Sequence, residues 1–278
     1  MSDIETRKIA GPDGAIAVRI QGDAGAPAVV MAHSILSSSM MWDAQAELLA
    51  SRGFRVVRID TRGHGESEAK SNRCTMDDLG ADTLAVFDAL GLERAHYVGL
   101  SLGAMSGFGL GIDHADRLLS LVLCDGRADA PPAVAAPWDE RIEQARRSGS
   151  CGVLADPTIE RWFGKAFVES HPEVAERFRA AAGRVSLDGF EACARAIQGL
   201  DYLDRVDRIR VPTTMIVGAN DGVLPQAMEE LRGRIEGSVL ELIPNAGHLP
   251  NIDAPEAFDA ALLRHFERVG SDATSTDS

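Results

Sequence analysis

A chain of 278 residues, 45% hydrophobic and 25% charged, can bury one large α/β core or two small ones and carries no apolar run long enough to cross a bilayer. Its formal charge of −14, with no Lys/Arg cluster to reverse it, argues against nucleic acid and acidic membrane surfaces as partners. Cys74, Cys124, Cys151 and Cys193 are scattered without CxxC or Cys/His spacing, so free thiols are expected and neither a zinc site nor a disulfide framework is suggested. The opening Met1-Ser2-Asp3-Ile4-Glu5 lacks the basic and then apolar segments of a secretory signal, which makes the cytoplasm the expected location.

In chain order, residues 7–20 hold a Gly11-Pro12-Asp13-Gly14 turn between two strand-like runs, predicting a hairpin at a sheet edge. A buried strand over 28–32 ends at His33. A helix over 41–52 follows, with Trp42, Leu48 and Leu49 on its apolar side and Gly53 as its stop. A strand is expected over 54–60, then the polar loop Thr61-Arg62-Gly63-His64-Gly65, a helix over 76–90, and a strand over 95–100 that runs straight into Ser101 and a further helix. After a strand over 118–124 the β/α rhythm fails. Residues 127–206 begin with Ala130-Pro131-Pro132 and carry helical patterns at 138–147, 159–170 and 173–182, which reads as an inserted helical cap. The rhythm resumes with a strand over 213–218, a helix over 225–234, a strand over 239–243 and a helix over 255–268. The pattern predicts an α/β fold with a mostly parallel central sheet and helices on both faces. Residues 1–126 and 207–270 form the core, 127–206 the cap, and 271–278 an expected disordered tail.

The chemistry concentrates where strand meets helix. Gly99-Leu100-Ser101-Leu102-Gly103 has the G-x-S-x-G spacing of a nucleophile elbow, in which glycines let a sharp, strained turn lift the serine oxygen clear of the sheet. A serine hydroxyl needs a base, and His248 in Asn245-Ala246-Gly247-His248-Leu249-Pro250 lies just past a predicted strand. Asp221, in Asn220-Asp221-Gly222, lies between them at another strand end and is the candidate acid that orients the imidazole. The plainer readings are a loop histidine and a turn aspartate. An oxyanion hole needs two donors: the Leu102 amide, just after the nucleophile, and an amide from a second loop. His33-Ser34-Ile35 follows the first buried parallel strand, where such folds usually place His-Gly-X, so Ile35 is the second candidate, with Ser34 in place of the more frequent glycine.

Several segments together resemble the α/β-hydrolases up to about residue 267, and more narrowly the 3-oxoadipate enol-lactonases. They are His33-Ser34 with Met41-Trp42-Asp43-Ala44-Gln45, Asp60-Thr61-Arg62-Gly63-His64-Gly65-Glu66-Ser67, the elbow, Trp138-Asp139-Glu140-Arg141-Ile142 and Arg161-Trp162-Phe163. The resemblance implies hydrolysis of an enol-lactone, a small-molecule substrate, in aromatic catabolism, with no metal and no organic cofactor. A carboxylated lactone would want an arginine fork, so Arg62, Arg127 and Arg141 are candidates, each with a structural salt bridge as its alternative. Trp138 is expected to line the pocket, with Ser34 beside it, whereas Trp162 reads as packing. His64, His96, His114, His171 and His265 show no ligand spacing and read as structural or solvated, and His33 as a tie for its loop. Carboxylesterase, acyl-homoserine lactonase and C–C bond hydrolase chemistry stay open, as does a lactone receptor without turnover. Ser101 argues against the halide-releasing and epoxide-opening relatives, which use an aspartate there. The oligomeric state, a homo-oligomer included, is not legible.

Overall fold

A computed structural model of the chain describes residues 4–275. Met1-Ser2-Asp3 and positions 276–278 of the expected tail lie outside the described residues. β1 (Glu5–Gly11) and β2 (Gly14–Gln21) form the predicted antiparallel edge hairpin, with Gly14 in the turn at a φ of 137° that a side chain would resist. β3 (Ala28–Ala32), β4 (Arg55–Ile59), β5 (Ala95–Leu100), β6 (Leu118–Cys124), β7 (Thr213–Gly218) and β8 (Val239–Ile243) complete the strands. Among the described residues they make one eight-stranded sheet in the order β1-β2-β4-β3-β5-β6-β7-β8. β2 pairs antiparallel with β4, and every pairing from β4 to β8 is parallel. β3, β5 and β7 are buried along their whole length, as expected of strands covered by helices on both faces.

The helix expected over 41–52 divides into a 3-10 turn at Ser39–Trp42 and α1 (Asp43–Ser51). α2 (Met76–Ala89) starts on a capping box, Thr75 and Asp78 each satisfying the other's free amide. α3 (Leu102–Asp113) springs directly from β5 and is buried along nearly its whole length. Between β6 and β7 the chain inserts α4 (Pro132–Ala135), α5 (Pro137–Ser148), α6 (Ala155–Phe163), α7 (Lys165–Ser170), α8 (Pro172–Arg184) and α9 (Leu187–Gln198). The single helix expected over 159–170 is split at Gly164, whose φ of 78° no helix accommodates.

α9 was not expected. Ser186 caps it by accepting from the Gly189 amide at 3.1 Å, and it buries Phe190, Ala194 and Ile197 on one face. It also fixes the insertion to the core: the Ser186 amide donates to the Gly63 carbonyl at 2.8 Å, and a Cβ on Gly189 would run into the Gly63 backbone. α10 (Leu224–Arg234), α11 (Pro250–Asp253) and α12 (Pro255–Ser275) close the fold. Because α12 continues past the expected end at 268, residues 271–275 of the expected tail are helical. No described helix is long and apolar enough to cross a membrane.

Candidate active site

The parallel strands β3, β5, β6, β7 and β8 are neighbours in the sheet, so the loops at their C-terminal ends converge on one rim. Ser101 sits there at φ 55° and ψ −111°, a backbone state that costs a non-glycine residue about 1–3 kcal/mol and persists only where its surroundings hold it. Its amide is held by the Cys124 carbonyl at 2.9 Å. The elbow glycines are required by contact: a Cβ at Gly99 would collide with the Gly103 carbonyl, and one at Gly103 with the Ala32 carbonyl. The turn thus presents the serine oxygen at the N-terminus of α3, where the helix dipole and unpaired amides favour an anion.

Asp221 follows β7 and His248 follows β8. Their loops lie against each other because Gly218 has no side chain; a Cβ there would overlap the Gly247 carbonyl. His248 Nδ1 and Asp221 Oδ2 are 2.5 Å apart, and both residues are buried. With Nδ1–H donated to the carboxylate, Nε2 keeps its lone pair, and among the described residues it has no partner. Burial pulls the His248 pKa below the ordinary histidine value, Asp221 opposes that, and Arg161 adds to it. Asp221 is itself held below the usual carboxylate range: burial would raise it, but His248 first and Arg161 after it outweigh burial. No hydrogen bond joins Ser101 to His248 among the described residues; the two line the same cavity, of about 540 Å³. Catalytic contacts of this kind often tighten only once substrate is bound.

The amides of Leu102 and Ile35 meet no acceptor among the described residues, and Ile35 lines the cavity. Two buried imidazoles hold the Ile35 loop. His33 Nε2 accepts the Thr61 amide at 2.9 Å while Nδ1 donates to the Ser34 carbonyl at 2.8 Å. His64 Nε2 accepts the Leu36 amide at 3.1 Å while Nδ1 donates to the Arg62 carbonyl at 3.0 Å. Each ring is therefore a neutral Nδ1–H tautomer, and burial takes the His64 pKa down to about 3. The left-handed residue of this loop is Leu36, at φ 61°, so a serine at 34 is accommodated without strain.

Of the expected substrate contacts, Trp138 and Arg127 line the cavity. Arg127, however, turns its fork onto Asp129, at 2.7 Å and 3.1 Å from Oδ1. Two expectations are corrected. Arg62 is buried away from the cavity in a bidentate pair with Asp82, at 2.7 and 2.9 Å, because a guanidinium sealed behind the sheet rim must find a carboxylate. Ser34 is fully buried and does not line the cavity. Arg141, which does line it, lies over the Trp138 ring at 4.7 Å and makes no ion pair among the described residues.

Two cavity residues escaped the sequence reading. Arg161, half-exposed, sits 3.8 Å from Asp221 Oδ1. Asp125, at the end of β6, is fully buried. Trp162 packs, as expected, but against His248: its ring stacks on the imidazole at 6.3 Å and its carbonyl accepts the His248 amide at 2.8 Å. Asp125, Asp221 and His248 bring donor atoms within 4.8 Å of one another, a set that could in principle ligate a metal. At 2.5 Å, however, the Asp221–His248 contact is too close for two ligands of one tetrahedral zinc, which stand about 3.3 Å apart at the usual bond lengths.

A match to the Alpha/beta hydrolase family spans residues 29–261. The chain is 32% identical to 3-oxoadipate enol-lactonase 1 of Acinetobacter baylyi, over 93% of this chain and 96% of that one. It is similar to the crystal structure of an enol-lactonase from Burkholderia xenovorans LB400, with a TM-score of 0.88 and 32% identity over 94% of this chain and all of that one. A thermophilic esterase from Thermogutta terrifontis, solved with malate bound, is similar at a TM-score of 0.85 and 32% identity, over 95% of this chain and 99% of that one.

Proposed function

Since the chain belongs to the alpha/beta hydrolase family and is a hydrolytic enzyme of that kind, we propose that it opens 3-oxoadipate enol-lactone, or a lactone closely like it, by acyl transfer to Ser101 and then to water. The observation that carries this reading is the buried Asp221–His248 pair: His248 lines the same cavity as Ser101, and its Nε2 has no partner among the described residues. Ser101 attacks the ring carbonyl as His248 takes its proton, and the Leu102 and Ile35 amides receive the developing oxyanion. The imidazolium, steadied by Asp221, protonates the departing enol oxygen, which stays tethered because the ring opens without losing a fragment. Water activated by His248 then releases the acid from the acyl-enzyme. Helices α4–α9 act as a cap that shapes the cavity.

A substrate carboxylate has two candidate partners, Arg141, which has no ion pair among the described residues, and the half-exposed Arg161. They supply positive charge locally in a chain of formal charge −14. The testing experiment compares kcat/KM for carboxylated enol-lactones, saturated lactones, neutral aryl esters and acyl-homoserine lactones. A preference for the carboxylated enol-lactone that drops at least tenfold in Arg161→Met supports the reading. Equal or better turnover of neutral esters replaces it with a general carboxylesterase, the reading that the likeness to the Thermogutta terrifontis esterase favours.

A further inference from the structure

Asp125 has an environment that the proposed mechanism does not use. It follows β6 directly, at a φ of 45°, and its backbone amide is held by the Ile216 carbonyl at 2.9 Å. Its Oδ1 accepts the Gly218 amide, also at 2.9 Å, so the side chain is pinned to the end of β7, the strand that carries Asp221. Its Oδ2 is buried and has no donor among the described residues. An ionised carboxylate could not tolerate that position: it would leave one oxygen unsatisfied in the interior, beside a second carboxylate already committed to His248. A proton on Oδ2 removes both difficulties, because Asp221, with a carboxylate oxygen within 4.8 Å of one of Asp125, is at hand to accept the O–H.

We propose that Asp125 is a positioning residue, a neutral carboxylic acid that donates its O–H to Asp221 and so fixes the carboxylate that orients His248. This inference rests on the hydrolase reading above. The acid pair then carries one negative charge, matched by the imidazolium that forms during attack. Titratable and charged groups face it from several elements. Burial pushes the Asp125 carboxyl up, and Asp221 pushes it further. On β6 the neighbouring Cys124 thiol is also pushed up by burial. From α11, Asp253 is raised by burial to about 6, and from α6, Arg161 engages Asp221, at 3.8 Å.

The test measures pH profiles of kcat/KM on an aryl ester for the full chain and for Asp125→Asn and Asp125→Ala, with an infrared spectrum of each at neutral pH. Asparagine can give an N–H to Asp221 and an oxygen to the Gly218 amide, so it should keep kcat within about threefold and leave the acid limb in place. Alanine should lose at least tenfold in kcat with KM little changed. If Asp125 were ionised, the Asn variant would remove a negative charge close to His248, and the acid limb would fall by about a pH unit or more; that result overturns the proposal. So does a kcat within threefold of the parent in both variants, or an equal loss in both. The infrared band of a protonated carboxylic acid, present in the parent and missing from Asp125→Asn, reads the proton without requiring turnover. Absence of the band overturns this inference, whereas a parent with the band and no hydrolysis of any ester overturns only the functional reading. Thermal melts of both variants identify any loss caused by unfolding, and the near-isosteric Asn variant keeps the question decidable if the Ala variant does not fold.

Discussion

At position 101 the chain accepts a backbone state that serine ordinarily avoids, and both flanking glycines are needed to make room for it. Residues that share one reaction coordinate lose activity together. Ser101→Ala and His248→Ala should each lower kcat by several powers of ten, and the double variant should be barely slower than either. Steady-state kinetics on one ester would read this, and losses that multiplied would count against a shared proton transfer. Ser101, Asp221 and His248 were legible as candidates because each follows a strand in a local pattern with its own physical cause: glycines at a tight turn, a carboxylate and an imidazole at strand ends. Asp125 and Arg161 were not. Cys124-Asp125-Gly126 reads as a turn, and only the sheet order, which puts β6 beside β7, shows that this aspartate lies next to Asp221. Arg62 misled for the converse reason, since its partner Asp82 lies 20 positions away on a helix face that looks solvated in sequence.

At the scale of elements, most strands were readable within a residue or so, because short, largely apolar runs buried on both faces leave a strong signal. Element ends were less readable where one turn passes into another, as at Ser39–Trp42, and where a single glycine, Gly164, divides an otherwise continuous helical pattern. α9 was missed although Ser186 and the spacing of Leu187, Phe190, Ala194 and Ile197 mark a capped amphipathic helix. Its apolar face is rich in alanine and carries a cysteine, which weakens the contrast with its polar face. The joint between α9 and the loop at Gly63 gives a direct prediction. Gly189→Ala puts a methyl group against the Gly63 backbone and should cost about 1–3 kcal/mol, seen as a lower denaturant midpoint at unchanged slope. Because the Gly63 loop also carries His64, which holds the Leu36 amide, kcat should fall in the same variant.

At the scale of the molecule, several histidines are kept neutral by burial. His265 bridges Ser120 at 2.7 Å and Thr214 at 2.6 Å, tying α12 to the sheet, and His96 joins the same chain through Ser120 at 2.7 Å. Burial, with Arg268 and then His96 adding to it, brings the His265 pKa down to about 3. Between its unfolded value near 6.5 and that folded value, the unfolded chain takes up a proton that the folded chain refuses, so acid removes stability across this window. Asp253, raised to about 6, works in the opposite sense, and a single variant separates the two. His265→Asn should be less stable than the parent at neutral pH, and the gap should narrow as pH falls from about 6.5 towards 3. Urea titrations at several pH values would show it, and a gap independent of pH would mean that the ring is already charged in the fold. The contact between Trp162 and His248 has a consequence on the same scale. The base leans on α6 through a ring face and a main-chain amide, and Gly247 leaves no space between the two segments. Under the proposed mechanism, a swing of α6 wide enough to admit a bulky guest would withdraw the scaffold beneath the imidazole. Cleavage by that route would then require the helix seated against the ring, so guests that fit beneath it unmoved would be the ones turned over.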